Sequence, residues 1–196
     1  MALRRKNKSD FKPDATRNTL LKTMRMTQLQ RLRLLKWAAY VFILIMAVVI
    51  QDVILSQLRL LGASVELVVC VILLITVMEG TEVGSVFVLL ASVGYFYSGT
   101  APGAYAIGLL CFLGIFVTLA RQMYLHRSKG AIILCAGAAA ALYEVCVFAV
   151  GIFQGLTRWD KLPVFLISGI YNLLMMIPLY PLVYKTGLIG GNTWKE

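Results

Sequence analysis

Histidine is nearly absent from this chain: His126 is the only one in 196 residues. Cysteine is sparse, with Cys70, Cys111, Cys135 and Cys146 at isolated positions inside apolar stretches. No CxxC or Cys/His spacing exists, which argues against a metal centre. A phosphate-cradling glycine loop, a nucleophile elbow and a zinc-protease helix are also missing. The sequence thus offers no catalytic, cofactor-binding or metal-ligating set, and a non-enzymatic protein is expected. Acids are few, nine Asp and Glu against 19 Lys and Arg. No long polar stretch follows residue 36, so no soluble domain fits between the apolar runs.

Apolar residues are abundant instead. They make up 60% of the chain, and mean hydropathy is +0.81. Six stretches are each read as a membrane span: 37–57, 64–79, 83–98, 103–120, 131–153 and 162–184. A bilayer core about 30 Å thick takes roughly 20 helical residues to cross. The breaks are turn-like or charged: 56–62 with Arg59, then Glu79-Gly80-Thr81-Glu82, then Gly99-Thr100-Ala101-Pro102-Gly103. Two more follow, 121–130 with Arg121, His126, Arg127 and Lys129, and 154–161 ahead of Pro163. Barrel strands alternate apolar and polar residues, and Val68 to Met78 does not. Lipid supplies no partner for free peptide groups, so helices follow. The expectation is an all-α integral membrane protein, six transmembrane helices in one bundle. A basic tail (1–36) precedes the membrane domain (37–186), and a short tail (187–196) follows it.

Charge sets the orientation. Residues 1–36 hold 11 Lys and Arg against Asp10 and Asp14. With this end inside, the inner segments hold 16 basic residues and the outer segments three. That bias predicts both termini on the cytoplasmic side of a plasma membrane. The first span reads as a signal anchor, too long for a cleaved signal peptide. Residues 20–36 suggest a juxtamembrane surface helix, held by anionic lipid or docking a cytoplasmic partner. The tail lacks a nucleic-acid-binding fold or interleaved aromatics, so no nucleic-acid partner is expected.

The acids near the spans are Asp52, Glu66, Glu79, Glu82 and Glu144. Glu79 and Glu82 fall at an inner turn, where contact with water is expected. Glu144 lies deep in the fifth span, where a bare charge is expensive. Asn172 falls at a similar depth in the sixth span, judged at about 1.5 Å per residue. A hydrogen bond between Glu144 and Asn172 is therefore expected across the helix pair, with Tyr143 beside it. It reads as a packing staple, or else as a ligand or proton site. Gly137, Ala138 and Ala141 mark a small-residue packing surface, for the bundle itself or for a partner's helix, and Gly80 and Gly84 a second. Pro178 and Pro181 are expected to bend the last span.

Several local patterns, taken in order, resemble the bacterial rod shape-determining MreD family. They are Ile50-Gln51-Asp52-Val53-Ile54-Leu55, Leu60-Leu61-Gly62, Gly80 with Gly84, and Gly99-Thr100-Ala101-Pro102-Gly103-Ala104-Tyr105-Ala106. Arg121, Tyr143-Glu144 and the run from Asn172 to Lys185 (NLLMMIPLYPLVYK) complete the set, which covers roughly residues 48–186. The chain departs from the family at Val65-Glu66, where Pro-Asp is usual, at Tyr95, where an aspartate is usual, and in its long basic tail. The resemblance implies a fold like the six-helix substrate-binding component of energy-coupling factor transporters. It also implies a scaffold of the cell-elongation machinery that controls cell shape and peptidoglycan synthesis. Its implied partners are a single-span MreC-like protein and, directly or indirectly, MreB filaments and peptidoglycan synthases. Glu144, Asn172 and Tyr143 are then internal structure, and Gly99, Pro102, Gly103 and Tyr105 shape an outer turn.

The alternative is a vitamin-binding component of an energy-coupling factor transporter. It requires an outward cavity lined by polar and aromatic groups, for which Tyr95, Tyr97, Tyr105, Trp159 and Asp160 are candidates.

Overall fold

The computed structural model describes residues 28–55, 57, 63, 65–124 and 129–189. Most of the basic tail, Arg59, Gly62, His126 and Arg127 lie outside the described residues. The described chain is helical, in six α-helices and two short irregular turns. Helix α1 spans Gln28–Ile50 and runs into a π-helical turn, Gln51–Leu55. Helices α2 (Leu67–Glu79) and α3 (Thr81–Tyr97) follow, separated by Gly80 alone. Then come α4 (Tyr105–Tyr124) and α5 (Lys129–Phe153). A 3₁₀ turn (Trp159–Lys161) leads into α6 (Leu162–Gly187).

Among the described residues, four segments are long and apolar enough to cross a bilayer: Gln30–Leu55, Tyr105–Met123, Gly130–Phe153 and Trp159–Gly187. Helices α2 and α3 are shorter, 13 and 17 residues. At about 1.5 Å per residue, α2 measures only about 20 Å.

Helix α2 is the hub. All 13 of its residues are buried, and it packs against each of the other five helices. Those five form a ring. Neighbours α3–α4, α4–α5, α5–α6 and α6–α1 pack in turn. The ring closes where Trp37 and Tyr40 of α1 meet Phe87 of α3, at ring centroid distances of 5.9 and 6.1 Å. Sequence dictates the central place: apart from Thr76 and Glu79, α2 is apolar on every side, and such a helix has no face for water. The outer surface is apolar as well. Phe42 and Ile45 on α1, Phe112 and Phe116 on α4, and Leu166 and Ile170 on α6 are all exposed. An unbroken belt of this kind suits lipid rather than water.

Residues 28–36, the described part of the stretch read as a juxtamembrane helix, are the first turns of α1, with Lys36 buried; residues 20–27 lie outside the described residues. The last helix is continuous through Pro178 and Pro181, with Pro163 in its first turn.

Candidate functional site

Burying a helix on all sides creates a problem at its ends. The first N–H groups and last C=O groups of a helix have no internal partner. In an apolar bundle, water does not supply one. Side chains from other helices do so for α2.

At its N-terminal end, Asn172 of α6 accepts a hydrogen bond from the Glu66 N–H at 2.9 Å. Gln51, in the π turn, accepts one from the Val68 N–H at 2.9 Å through Oε1. The Cys70 thiol donates to the Asn172 carbonyl at 3.5 Å. Asn172 also faces the other way: its Nδ2 donates to Glu144 Oε1 of α5 at 2.7 Å. Ser168 Oγ, one turn earlier on α6, donates to the same oxygen at 2.9 Å. The pair inferred from depth is thus in direct contact, and one amide ties α5, α6 and the start of α2 together. Ser168 and Glu66 were not foreseen as part of this cluster. Ser168 stands four residues before Asn172, the spacing that shares a helix face. Tyr143 is fully buried next to the cluster, and Tyr95 of α3 lies beside it. Tyr95 also donates to the Thr100 carbonyl at 3.4 Å, tying α3 to the turn that follows it.

At the C-terminal end, Arg121 of α4 donates to the Val77 carbonyl. Gly80 ends the helix with φ of 88°, a conformation that favours glycine. Its N–H bonds the Thr76 carbonyl at 3.2 Å. Glu79 does not face water as expected. Its carboxylate is buried, 2.6 Å from the Lys36 ammonium, and accepts a bond from the Tyr40 hydroxyl. Glu82, one turn on, is exposed.

The packing glycines divide by position. Gly84 lies backbone-to-backbone against α2: a Cβ there would stand 2.5 Å from the Thr76 carbonyl oxygen. Gly137 faces α6, where a Cβ would meet Leu173 at 2.9 Å. Ala138 and Ala141 are exposed and are not part of that contact; within the run 136–141, Ala136, Ala139 and Ala140 are buried. The helical period explains the split, since positions 137 and 138 diverge by about 100° around the axis. Ala141 instead lines a groove of about 460 Å³ between α5 and α6, with Glu144, Phe148, Phe165 and Gly169. In the turn between α3 and α4, Gly99 has φ of 77°, Pro102 is exposed, and the Tyr105 ring packs against Gly103.

Of the aromatic set named for a ligand cavity, Tyr95 and Tyr105 lie near one another around Tyr143, and the others do not join them. Tyr95 is buried, whereas Tyr97 and Trp159 are exposed and pack on Phe96 and Phe148. Among the described residues, no group of three or more His, Cys, Asp or Glu is placed to hold a metal ion. The four cysteines are free. No family model, curated protein or solved structure matches this chain.

Proposed function

We propose that this chain is a non-enzymatic membrane scaffold of the bacterial cell-elongation complex, a divergent relative of the MreD family. In this reading all six helices cross the cytoplasmic membrane and both termini are cytoplasmic. The shortness of α2 is no obstacle, because a helix enclosed by five others need not match the lipid thickness. The fold implied by the resemblance, that of an energy-coupling factor substrate-binding component, belongs to the same proposal.

One observation carries the reading. The short patterns that make up the resemblance are scattered over more than a hundred residues, yet many of them act on one helix. Gln51 and Asn172 cap the start of α2, and Arg121 bonds its last turn. Gly84 packs on its backbone, and Glu144 binds the capping amide. Weak motifs that converge on a shared structural task support a common architecture better than their individual lengths do. The groove between α5 and α6, with Ala141 and Gly169 along it, suits the close approach of a partner's single span. The basic inner segments would face the filament side.

Purification from bacterial membranes tests this. Co-purification of a one-span, coiled-coil MreC-like protein, lost when Gly169 is replaced by leucine, is the expected result. A small molecule bound to the purified chain, with no such partner, would instead select the transporter component.

A further inference from the structure

The groove between α5 and α6 is made of two stripes. On α5 the lining residues are Ala141, Glu144, Val145 and Phe148, and on α6 they run from Leu162 through Gly169 to Leu173. Spacings of three and four keep each stripe on one helix face. The stretch from Leu162 to Leu173 covers about 16 Å, or about three helical turns. A Cβ on Gly169 would meet nothing within 4 Å, so the chain leaves the space above it open. At one end Trp159 stands exposed, edge-on to Phe148 with ring centroids 6.0 Å apart.

Glu144 is the exception in this lining, since no other side chain there can donate or accept a hydrogen bond. It is only 3% exposed. Ser168 and Asn172 both donate to its Oε1, and among the described residues no bond ends on Oε2. Two accepted bonds, with no acceptor placed for a carboxyl proton, fit the carboxylate. A carboxylate has room for about four donors and here has two. No Lys or Arg of the described chain is among the groups acting on it. A charge at membrane depth ordinarily faces a partner, so the bond still owed to Glu144 is one from a donor outside the chain. A lipid tail would fill the apolar space but brings no donor to this depth. A helix can bring one, and Ala141 and Gly169 let its backbone come close. We propose that the groove seats a partner's transmembrane helix which donates a hydrogen bond to Glu144 from a side chain level with it, a pairing that rests on the scaffold reading of the groove. Through Asn172, which holds Glu144 and the Glu66 N–H at once, the seated helix would also brace the start of α2.

The test measures energy transfer from the tryptophans of the full-length chain, in phosphatidylcholine vesicles, to an acceptor-labelled single-span peptide of leucine and alanine. One peptide carries lysine at its midpoint, and its control carries methionine there. Protonated lysine only donates, so the lysine peptide should bind about tenfold more tightly. Glu144→Gln keeps an oxygen for Ser168 and Asn172 but turns the second acceptor into a donor, and should erase the preference. Gly169→Leu fills the groove and should weaken both peptides. Equal binding of the two peptides by the unaltered chain overturns the proposal whether or not a variant folds, and so does a lysine preference that survives Glu144→Gln. A one-span partner captured from membranes equally by the unaltered chain and by Glu144→Gln overturns the pairing and leaves the scaffold reading standing. A lysine preference with no such partner in membranes upholds the seat and its donor and removes the scaffold reading.

Discussion

Replacing Asn172 with leucine removes a buried amide while keeping the number and branching of its heavy atoms, so no cavity is left and the loss is polar. Two bonds disappear. The Glu66 N–H at the start of α2 loses its acceptor, and Glu144 Oε1 loses one of two donors. An orphaned buried N–H costs about 1–3 kcal/mol. The second loss is smaller, because Ser168 still donates to Glu144; side-chain bonds between membrane helices average about 0.6 kcal/mol. The sum is about 1.6–3.6 kcal/mol, equivalent to a Tm decrease of roughly 3–14 °C for a chain of this size. Ser168→Ala removes only the second kind of bond and should cost about 0.6 kcal/mol. The assay is reversible unfolding in mixed micelles, followed by far-UV circular dichroism, on both single variants. Equal effects at the two positions, or an Asn172→Leu loss under about 0.5 kcal/mol, would refute the claim that Asn172 caps α2.

Other outcomes follow from the opposite end of α2 and from its flank. Breaking the buried Lys36–Glu79 pair with Lys36→Met alone should destabilise by about 3–5 kcal/mol, while Lys36→Met with Glu79→Leu should recover most of that loss. Unfolding of the three proteins in parallel checks this. Gly84→Ala places a Cβ against the Thr76 carbonyl and should cost about 1–3 kcal/mol, whereas Gly94→Ala on the same helix meets nothing within 4 Å and should be neutral or slightly stabilising. Tm measurement of the pair separates close packing from helix propensity. Labelling of single cysteines placed at residues 5 and 194 should occur from the same side of sealed vesicles, and opposite sidedness would remove the six-span reading.

The sequence announced the helices more clearly than their roles. Turn clusters at Gly80 and at Gly99–Gly103 are legible because glycine and proline are local signals, and the helices end there. The Glu144–Asn172 contact was reachable because depth along antiparallel neighbours is arithmetic. The central position of α2 was harder to see. Hydropathy alone cannot distinguish a helix ringed by protein from one bathed in lipid, since both are apolar all round. That ambiguity also hid the Lys36–Glu79 pair. Both residues lie near the ends of apolar runs, where charge ordinarily means water. The alanine run of α5 is ambiguous for another reason. Six consecutive small residues carry no periodicity, so nothing marked Ala138 and Ala141 as outward and Ala139 and Ala140 as inward.

The enclosure of α2 explains why so few polar residues suffice for this fold. Lipid gives helices little hydrophobic reason to associate, so specificity must come from close packing and from buried polar bonds. A central helix provides both at once. Its flank receives Gly84 from α3 at backbone distance, and its ends demand donors and acceptors that α1's extension, α4 and α6 supply, with α5 tied in through Asn172. Each such bond has a direction, so sliding a neighbour by one turn would unmake it. The register of α1, α4, α5 and α6 is therefore fixed at the termini of α2 rather than along their apolar seams. The outer faces of those helices, free of any structural polar duty, are left apolar and available to lipid or to a partner's span.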